Sequence, residues 1–213
     1  MVEAILWDND GVLVDTERLY FQATRQALTL ADIDLTLELY QDISLRQGRS
    51  LFHLAASKGE TPEQVVSLRQ ERDRIYVKLL REKPLLYPGV LETLRELHKK
   101  YRMAIVTSSR REHFDVMHEQ TAIRDLFEFI LAREDFVKSK PDPEPYLTAL
   151  KRLGLSADKC IAVEDTERGV ESARAAGLRC IVIPHDFTRE CRFVGAEAVL
   201  KSIVELPKLL KRM

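Results

Sequence analysis

The stretch ILWDNDGVLVDTE, residues 5–17, decides how the rest of the chain is read. An apolar run ends in Asp8-Asn9-Asp10, takes a glycine, and turns apolar again before Asp15. Taken alone, the fragment reads as a hairpin. Asp10-Gly11 is a strong tight-turn pair, and Ala4–Trp7 and Val12–Val14 would be its strands. A calcium loop ending at Glu17 fails, because its first-ligand position falls on Leu6. Choosing between a hairpin and a site needs the remainder of the chain.

The 213 residues can form one sizeable core, or a core with a small second domain. Their 45% hydrophobic and 31% charged content is that of a soluble globular protein. A net charge of -1 gives no electrostatic case for nucleic acid or an anionic membrane as partner. No apolar run approaches the length of a membrane span. The start, MVEAILW, has an acid where a signal peptide needs basic residues. Cys160, Cys180 and Cys191 have neither disulfide-framework nor zinc-type spacing, and the first two fall in apolar strand patterns as buried thiols. A cytoplasmic protein, a monomer or weak dimer, is expected.

Short apolar runs alternate with amphipathic helical stretches. The expected strands are Ala4–Trp7, Met103–Thr107, Phe129–Ala132, Ile161–Glu164 and Cys180–Ile183, continuous enough to be buried on both faces of a parallel sheet. Between them, Pro143-Glu144-Pro145 opens a helix with Tyr146, Leu147, Leu150 and Leu153 as its stripe and Gly154 at its end. Thr166 can cap another, with Val170, Ala173 and Ala176 inward and Gly177 beyond. The alternation predicts a doubly wound, Rossmann-like α/β fold. It breaks once: from Thr16 to Pro88 there is helix after helix and no strand. The predicted organisation is a core of residues 1–15 and 86–213 with a helical lid of residues 16–85 inserted after the acidic segment. Its hinges fall near Val14–Thr16 and Leu85–Gly89, and REKP, residues 81–84, reads as an exposed helix end before the second.

Open parallel sheets bind ligands beyond the carboxyl ends of their strands. There the first strand delivers Asp8 and Asp10, the second Thr107, Ser108 and Ser109, and a later one Glu164 and Asp165, with Lys140 just before the helix that feeds it. A hairpin accident explains none of this convergence. Carboxylates sharing one sheet end repel one another, and a divalent cation and Lys140 would relieve the repulsion. Magnesium suits oxygen ligands and takes one or two carboxylates plus a substrate phosphate. Thr107, Ser108 and backbone N–H groups could hold the other phosphate oxygens. One carboxylate then remains to attack phosphorus, and another to protonate the leaving oxygen and activate water.

WDNDGVLVDTE resembles the first motif of the haloacid dehalogenase superfamily, and IVTSS, SKPDPEPY and VEDTERG resemble its second, third and fourth, in order. The resemblance spans essentially the whole chain, including the YPGV re-entry from the lid. It implies a Rossmann-like core with a helical cap, Asp8 as nucleophile, Asp10 as acid/base, and Thr107 and Lys140 as phosphate and charge partners. It also implies that Asp8, the Asp10 carbonyl and Asp165 hold magnesium, with Glu164 assisting. Trp7 stands where phenylalanine is commoner, and Asn9 where the family is usually apolar.

Dehalogenases of the superfamily lack the second aspartate, so Asp10 points to phosphoryl transfer. Mutases of the branch that holds β-phosphoglucomutase carry a histidine where this chain has Tyr20, and an arginine where GRSLF offers Leu51, with Arg49 close by. Those losses favour a phosphatase acting on a small phosphorylated metabolite, a sugar phosphate. The tail GLRCIVIPHDFTRECRFVGAEAVL resembles sugar-bisphosphate phosphatases of the same branch. In the lid, Val65, Leu68, Ile75 and Leu79 form a stripe with Arg72 in its middle. Arg72 could reach a substrate carboxylate or second phosphate, or merely pack its stem and pair with an acid such as Glu38. Arg49 carries the same two readings. Thr16 and Tyr20 could face substrate, or be a helix cap and a core aromatic. The five histidines are scattered without metal-ligand spacing and read as surface or core residues, and KSK and KLLKR as solvated faces. A phospho-accepting receiver domain is the non-enzymatic rival; it places its aspartate on the third strand and has no such insertion.

Overall fold

A computed structural model describes residues 2–82 and 85–213. Lys83 and Pro84, within the predicted REKP helix end, lie outside the described residues. The chain divides into two compact units, Met1–Asp15 with Leu86–Met213, and Thr16–Leu85.

The first unit is built on β1 (Ala4–Trp7), β2 (Arg102–Val106), β3 (Phe129–Leu131), β4 (Cys160–Glu164), β5 (Arg179–Val182) and β6 (Ala198–Val199). Their order is β3-β2-β1-β4-β5-β6, and every pairing is parallel. The first three strands run outward to one side of β1 and the next three to the other. The order therefore reverses between β1 and β4, where a doubly wound sheet opens a crevice for ligands. Trp7 is in register with both Ile105 and Val163, so the residues after β1, β2 and β4 emerge at one level.

Side chains alternate between two faces. Ile5, Trp7, Ile105, Val163 and Ile181 pack on one side with Leu94 and Leu97 of α5 (Val90–His98), Phe114 of α6 (Arg111–Met117) and Leu210 of α9 (Leu206–Leu210). Leu6, Ala104, Val106, Ala162 and Val182 pack on the other with Tyr146, Ala149, Leu150 and Leu153 of α7 (Glu144–Leu153) and Val170 and Ala173 of α8 (Glu167–Ala175). The buried face of α7 is thus 146-149-150-153, one helical stripe; Leu147, expected in it, lies off that face and is exposed. Thr166 caps α8 as expected, its side chain accepting from Gly169 N at 3.2 Å.

The predicted hairpin is corrected. Val12–Val14 form no second strand: Leu13 and Val14 both donate to Asn9 O, and Gly11 N donates to Val14 O at 2.9 Å. This compact turn brings Val12, Leu13 and Val14 into the core instead of along a partner strand. Tyr87 N then donates to Leu13 O at 3.1 Å, tying the residues just before and just after the insertion.

The second unit, Thr16–Leu85, is helical: α1 (Glu17–Thr29), α2 (Leu37–Tyr40) running into a π-helical turn (Gln41–Arg46), α3 (His53–Ser57) and α4 (Pro62–Glu82). The fully buried residues of α4 are Leu68, Tyr76 and Leu80, with Val65, Ile75 and Leu79 only half-buried, so the apolar stripe is rotated from the one expected. Arg72 completes the run 68-72-76-80. Among the described residues, no helix is long and apolar enough to cross a membrane.

Candidate active site

The site begins where β1 stops. Asp8 N donates to Val163 O at 2.9 Å, holding the first residue beyond the strand in ladder geometry beside β4. Its carboxylate meets Lys140, whose Nζ lies 2.5 Å from Asp8 Oδ1, 2.6 Å from Glu164 Oε1 and 2.8 Å from Val106 O. One ammonium thus ties β1, β2 and β4 together, from a loop leading into α7. Tyr146 of α7 donates to Glu164 Oε1 at 2.6 Å. Asp8, Lys140, Glu164 and Asp165 are all buried.

Two glycines make room for this cluster. A Cβ on Gly169 would stand 2.0 Å from Glu164 Oε2. One on Gly11, where φ is +80°, would stand 2.1 Å from Asp165 Oδ2. The glycine of the opening motif therefore serves twice: it permits the turn and lets Asp165 close against the backbone.

Asp10 is differently surrounded. Its Oδ2 accepts from Thr107 Oγ1 at 3.1 Å, Ser109 Oγ at 2.9 Å and Asn9 Nδ2 at 3.3 Å. Ser109 N donates to Thr107 Oγ1 at 3.0 Å, so the turn after β2 orients the hydroxyls that hold Asp10. Ser108 Oγ, between them, is enclosed without a hydrogen-bond partner among the described residues.

The electrostatics follow from burial. Burial, the largest influence, pushes the Asp8 carboxyl well above its ordinary range; Lys140 pulls it back, while Glu164, Asp165 and Asp10 raise it further. Burial opposes the charge of Lys140, but Asp8 and Glu164 outweigh it and hold the ammonium protonated. Oxygens of Asp8, Glu164 and Asp165 all lie within 4.8 Å of one another. Three buried carboxylates against one lysine form a hard-oxygen donor set with surplus negative charge, which fits a divalent cation. The Asp10 carboxylate is outside that set, turned to Thr107 and Ser109.

Two neighbours escaped the reading of the sequence. His185 Nε2 lies 3.0 Å from Asp165 Oδ2, and Phe187 N donates to His185 Nδ1 at 3.2 Å. His185 stands three residues past β5, at the same end of the parallel sheet as the residues that follow β1, β2 and β4. The second is a buried chain in which Asn9 Oδ1 meets His118 Nε2 at 2.8 Å and His118 Nδ1 meets Thr121 Oγ1 at 2.8 Å. Burial lowers the His118 pKa to about 4, keeping the ring neutral.

Thr16, Tyr20, Arg49 and Arg72 belong to the helical unit. Thr16 is buried ahead of α1 but makes no side-chain cap. Arg49 is exposed, its guanidinium 3.3 Å from Gln47 Oε1. The Arg72 guanidinium lies 4.6 Å from the Tyr20 ring centroid and 5.4 Å from that of Phe52, and donates to the Tyr20 hydroxyl. Its acidic partner is Asp73, at 2.7 Å, in place of the expected Glu38.

The family described as haloacid dehalogenase-like hydrolase matches residues 5–183. Protein CbbY of Cereibacter sphaeroides is 30% identical, over 97% of this chain and 94% of its own. A phosphorylated carbohydrates phosphatase of Thermotoga maritima is 31% identical over 84% of each. The solved structure of a CbbY mutant from Rhodobacter sphaeroides, in complex with xylulose 1,5-bisphosphate, superposes with a TM-score of 0.83 at 27% identity, covering 97% of this chain and 96% of that one.

Proposed function

Because the chain belongs to the haloacid dehalogenase-like hydrolase family, we propose that it is a magnesium-dependent phosphatase that hydrolyses a small phosphorylated sugar through an aspartyl-phosphate. The observation that carries this reading is the contrast between two carboxylates at one strand end. Asp8 is gripped by a buried ammonium, whereas Asp10 is held by the neutral hydroxyls of Thr107 and Ser109. Two carboxylates in such different surroundings suit two different roles.

In the first step an Asp8 carboxylate oxygen attacks phosphorus. The ester P–O bond breaks, and its electron pair leaves with the sugar oxygen, which takes the proton of Asp10. In the second step Asp10 accepts a proton from water, whose oxygen attacks the same phosphorus. The bond between phosphorus and Asp8 breaks, inorganic phosphate leaves, and Asp10 is protonated again for the next turnover. Lys140 keeps its charge throughout, fixing Asp8 and Glu164. Ser108, with its hydroxyl uncommitted, and Thr107 bind phosphate oxygens. Asp8, Asp165 and the Asp10 carbonyl, with Glu164 beside them, would hold magnesium, which would supply positive charge against the phosphoryl oxygens.

The helical unit, residues 16–85, is proposed as the specificity cap, with Arg72, Arg49, Tyr20 and Thr16 as its substrate-facing candidates. The sugar class is supported by the relatives named above, one called a phosphatase of phosphorylated carbohydrates and another crystallised with a sugar bisphosphate.

The test is phosphate release from a panel of sugar phosphates, sugar bisphosphates and small phosphorylated acids, with magnesium and with chelator, using Asp8→Asn as the blank. Magnesium-dependent release concentrated on a few sugars is expected. Conversion of β-glucose 1-phosphate to glucose 6-phosphate with little free phosphate would replace the phosphatase by a mutase. Release undiminished in Asp8→Asn would overturn the mechanism.

A further inference from the structure

We propose that Asn9 and His118 are positioning residues that orient the Asp10 carboxylate for proton delivery to the leaving group. The inference rests on the reading of Asp10 as acid/base and adds to it the groups that aim it.

Asn9 is fully buried between the two aspartates, a costly place for an amide unless both of its ends are satisfied. Both are. Its Oδ1 is 2.8 Å from His118 Nε2, and its Nδ2 is 3.3 Å from Asp10 Oδ2 and 3.3 Å from Met117 Sδ. An amide oxygen only accepts, so His118 must carry its proton on Nε2, which makes Nδ1 the acceptor from the Thr121 hydroxyl at 2.8 Å. The Phe114 ring, with its centroid 4.5 Å from that of His118, packs against the imidazole at the end of α6.

Each bond in the chain fixes the polarity of the next. The Asp10 carboxylate only accepts and so takes the Asn9 amide nitrogen, while the Thr121 hydroxyl, able to donate or accept, serves whichever form His118 Nδ1 then has. His118 claims the amide oxygen of Asn9, and the amide nitrogen therefore faces Asp10. Without His118 the amide can turn over and set its oxygen against the carboxylate, which repels it. With His118 in place, Asn9 joins Thr107 and Ser109, so that donors from three side chains converge on Asp10 Oδ2. Three donors on one oxygen fix the rotation of the Asp10 carboxylate. The chain Thr121–His118–Asn9 thus helps to set the orientation in which Asp10 meets the leaving group.

General-acid assistance matters most when the leaving oxygen is basic. A sugar alkoxide needs the proton; p-nitrophenolate hardly does. The experiment compares kcat/KM, which reports the steps up to leaving-group departure, for the best sugar phosphate of the panel and for p-nitrophenyl phosphate. The enzymes are the parent, Asp10→Asn, His118→Phe, His118→Gln and the double variant Asn9→Leu/His118→Phe. The double variant removes both polar partners together and leaves no buried orphan to unfold the protein. For His118→Phe and the double variant, the sugar phosphate should lose about tenfold and the aryl ester far less, a fraction of the roughly hundredfold or more that general acids supply. His118→Gln, which can still donate to Asn9, should recover most of the loss. Parallel losses on both substrates, or no loss on either, while Asp10→Asn remains selective, would overturn the positioning role alone. An unselective Asp10→Asn would overturn the acid/base reading and this inference with it.

Discussion

Gly169 is the seat of Glu164: a Cβ at position 169 would lie 2.0 Å from one carboxylate oxygen and 2.1 Å from the carboxyl carbon. Alanine is ordinarily the better helix former by about 1 kcal/mol, so Gly169→Ala in α8 should stabilise an unconstrained helix. Here Glu164 cannot step aside, because Lys140 and Tyr146 hold its other oxygen at 2.6 Å each. Gly169→Ala should therefore lower the melting temperature, reduce phosphatase activity at least tenfold, and raise the magnesium concentration needed for half-maximal rate. A variant that is more stable and fully active would mean that Glu164 is not confined as described.

Lys140 is the only described side-chain cation within salt-bridge distance of Asp8 and Glu164. Lys140→Met keeps the stem and removes the charge, leaving two buried carboxylates without it. Breaking a buried pair from one side costs roughly 3–5 kcal/mol. Urea denaturation should show a loss of that order, and millimolar magnesium should restore more stability to the variant than to the parent. An unchanged midpoint would show that the carboxylates had simply taken up protons.

The sheet was readable because parallel strands buried on both faces leave continuous apolar runs, and five of them stand out in the sequence. The sixth, Ala198–Val199, is too short to leave a pattern. The cluster of Asp8, Asp10, Thr107, Lys140, Glu164 and Asp165 could be collected because each residue follows a strand or feeds one, and strand ends of a doubly wound sheet converge. The Asn9–His118 contact could not, since it joins positions 109 residues apart through a helix end that no local rule aims at β1. Arg72 shows a subtler limit. Periodicity placed it on the apolar face of α4, but whether its charge turns outward or lies on Tyr20 and Phe52 depends on rings from other segments of the chain.

That stacking can be separated from a role in substrate choice by substitution. Arg72→Ala removes the guanidinium and its contact with two rings, so a modest loss of stability, about 1–2 kcal/mol, is expected. If Arg72 also receives a substrate anion, KM should rise more for a sugar bisphosphate than for p-nitrophenyl phosphate, with kcat less affected. Arg72→Lys, which keeps the charge but not the planar stack, should fall between the two. Equal changes in KM for both substrates would assign Arg72 to packing alone.

Acid stability should report on the buried imidazole. Burial lowers the His118 pKa from an ordinary 6.5 to about 4. Between those values the unfolded chain binds a proton at this position that the folded chain refuses, so stability falls as the pH is lowered through the window. The full effect approaches roughly 3 kcal/mol below the folded pKa and vanishes above the unfolded one. His118→Gln carries no such group. From pH 7 to pH 5 the parent should lose about 2 kcal/mol more than the variant, read as the difference between their urea midpoints at the two pH values. Equal losses in the two proteins would mean that His118 accepts its proton in the folded state at no cost, which the enclosed contact with Asn9 does not allow.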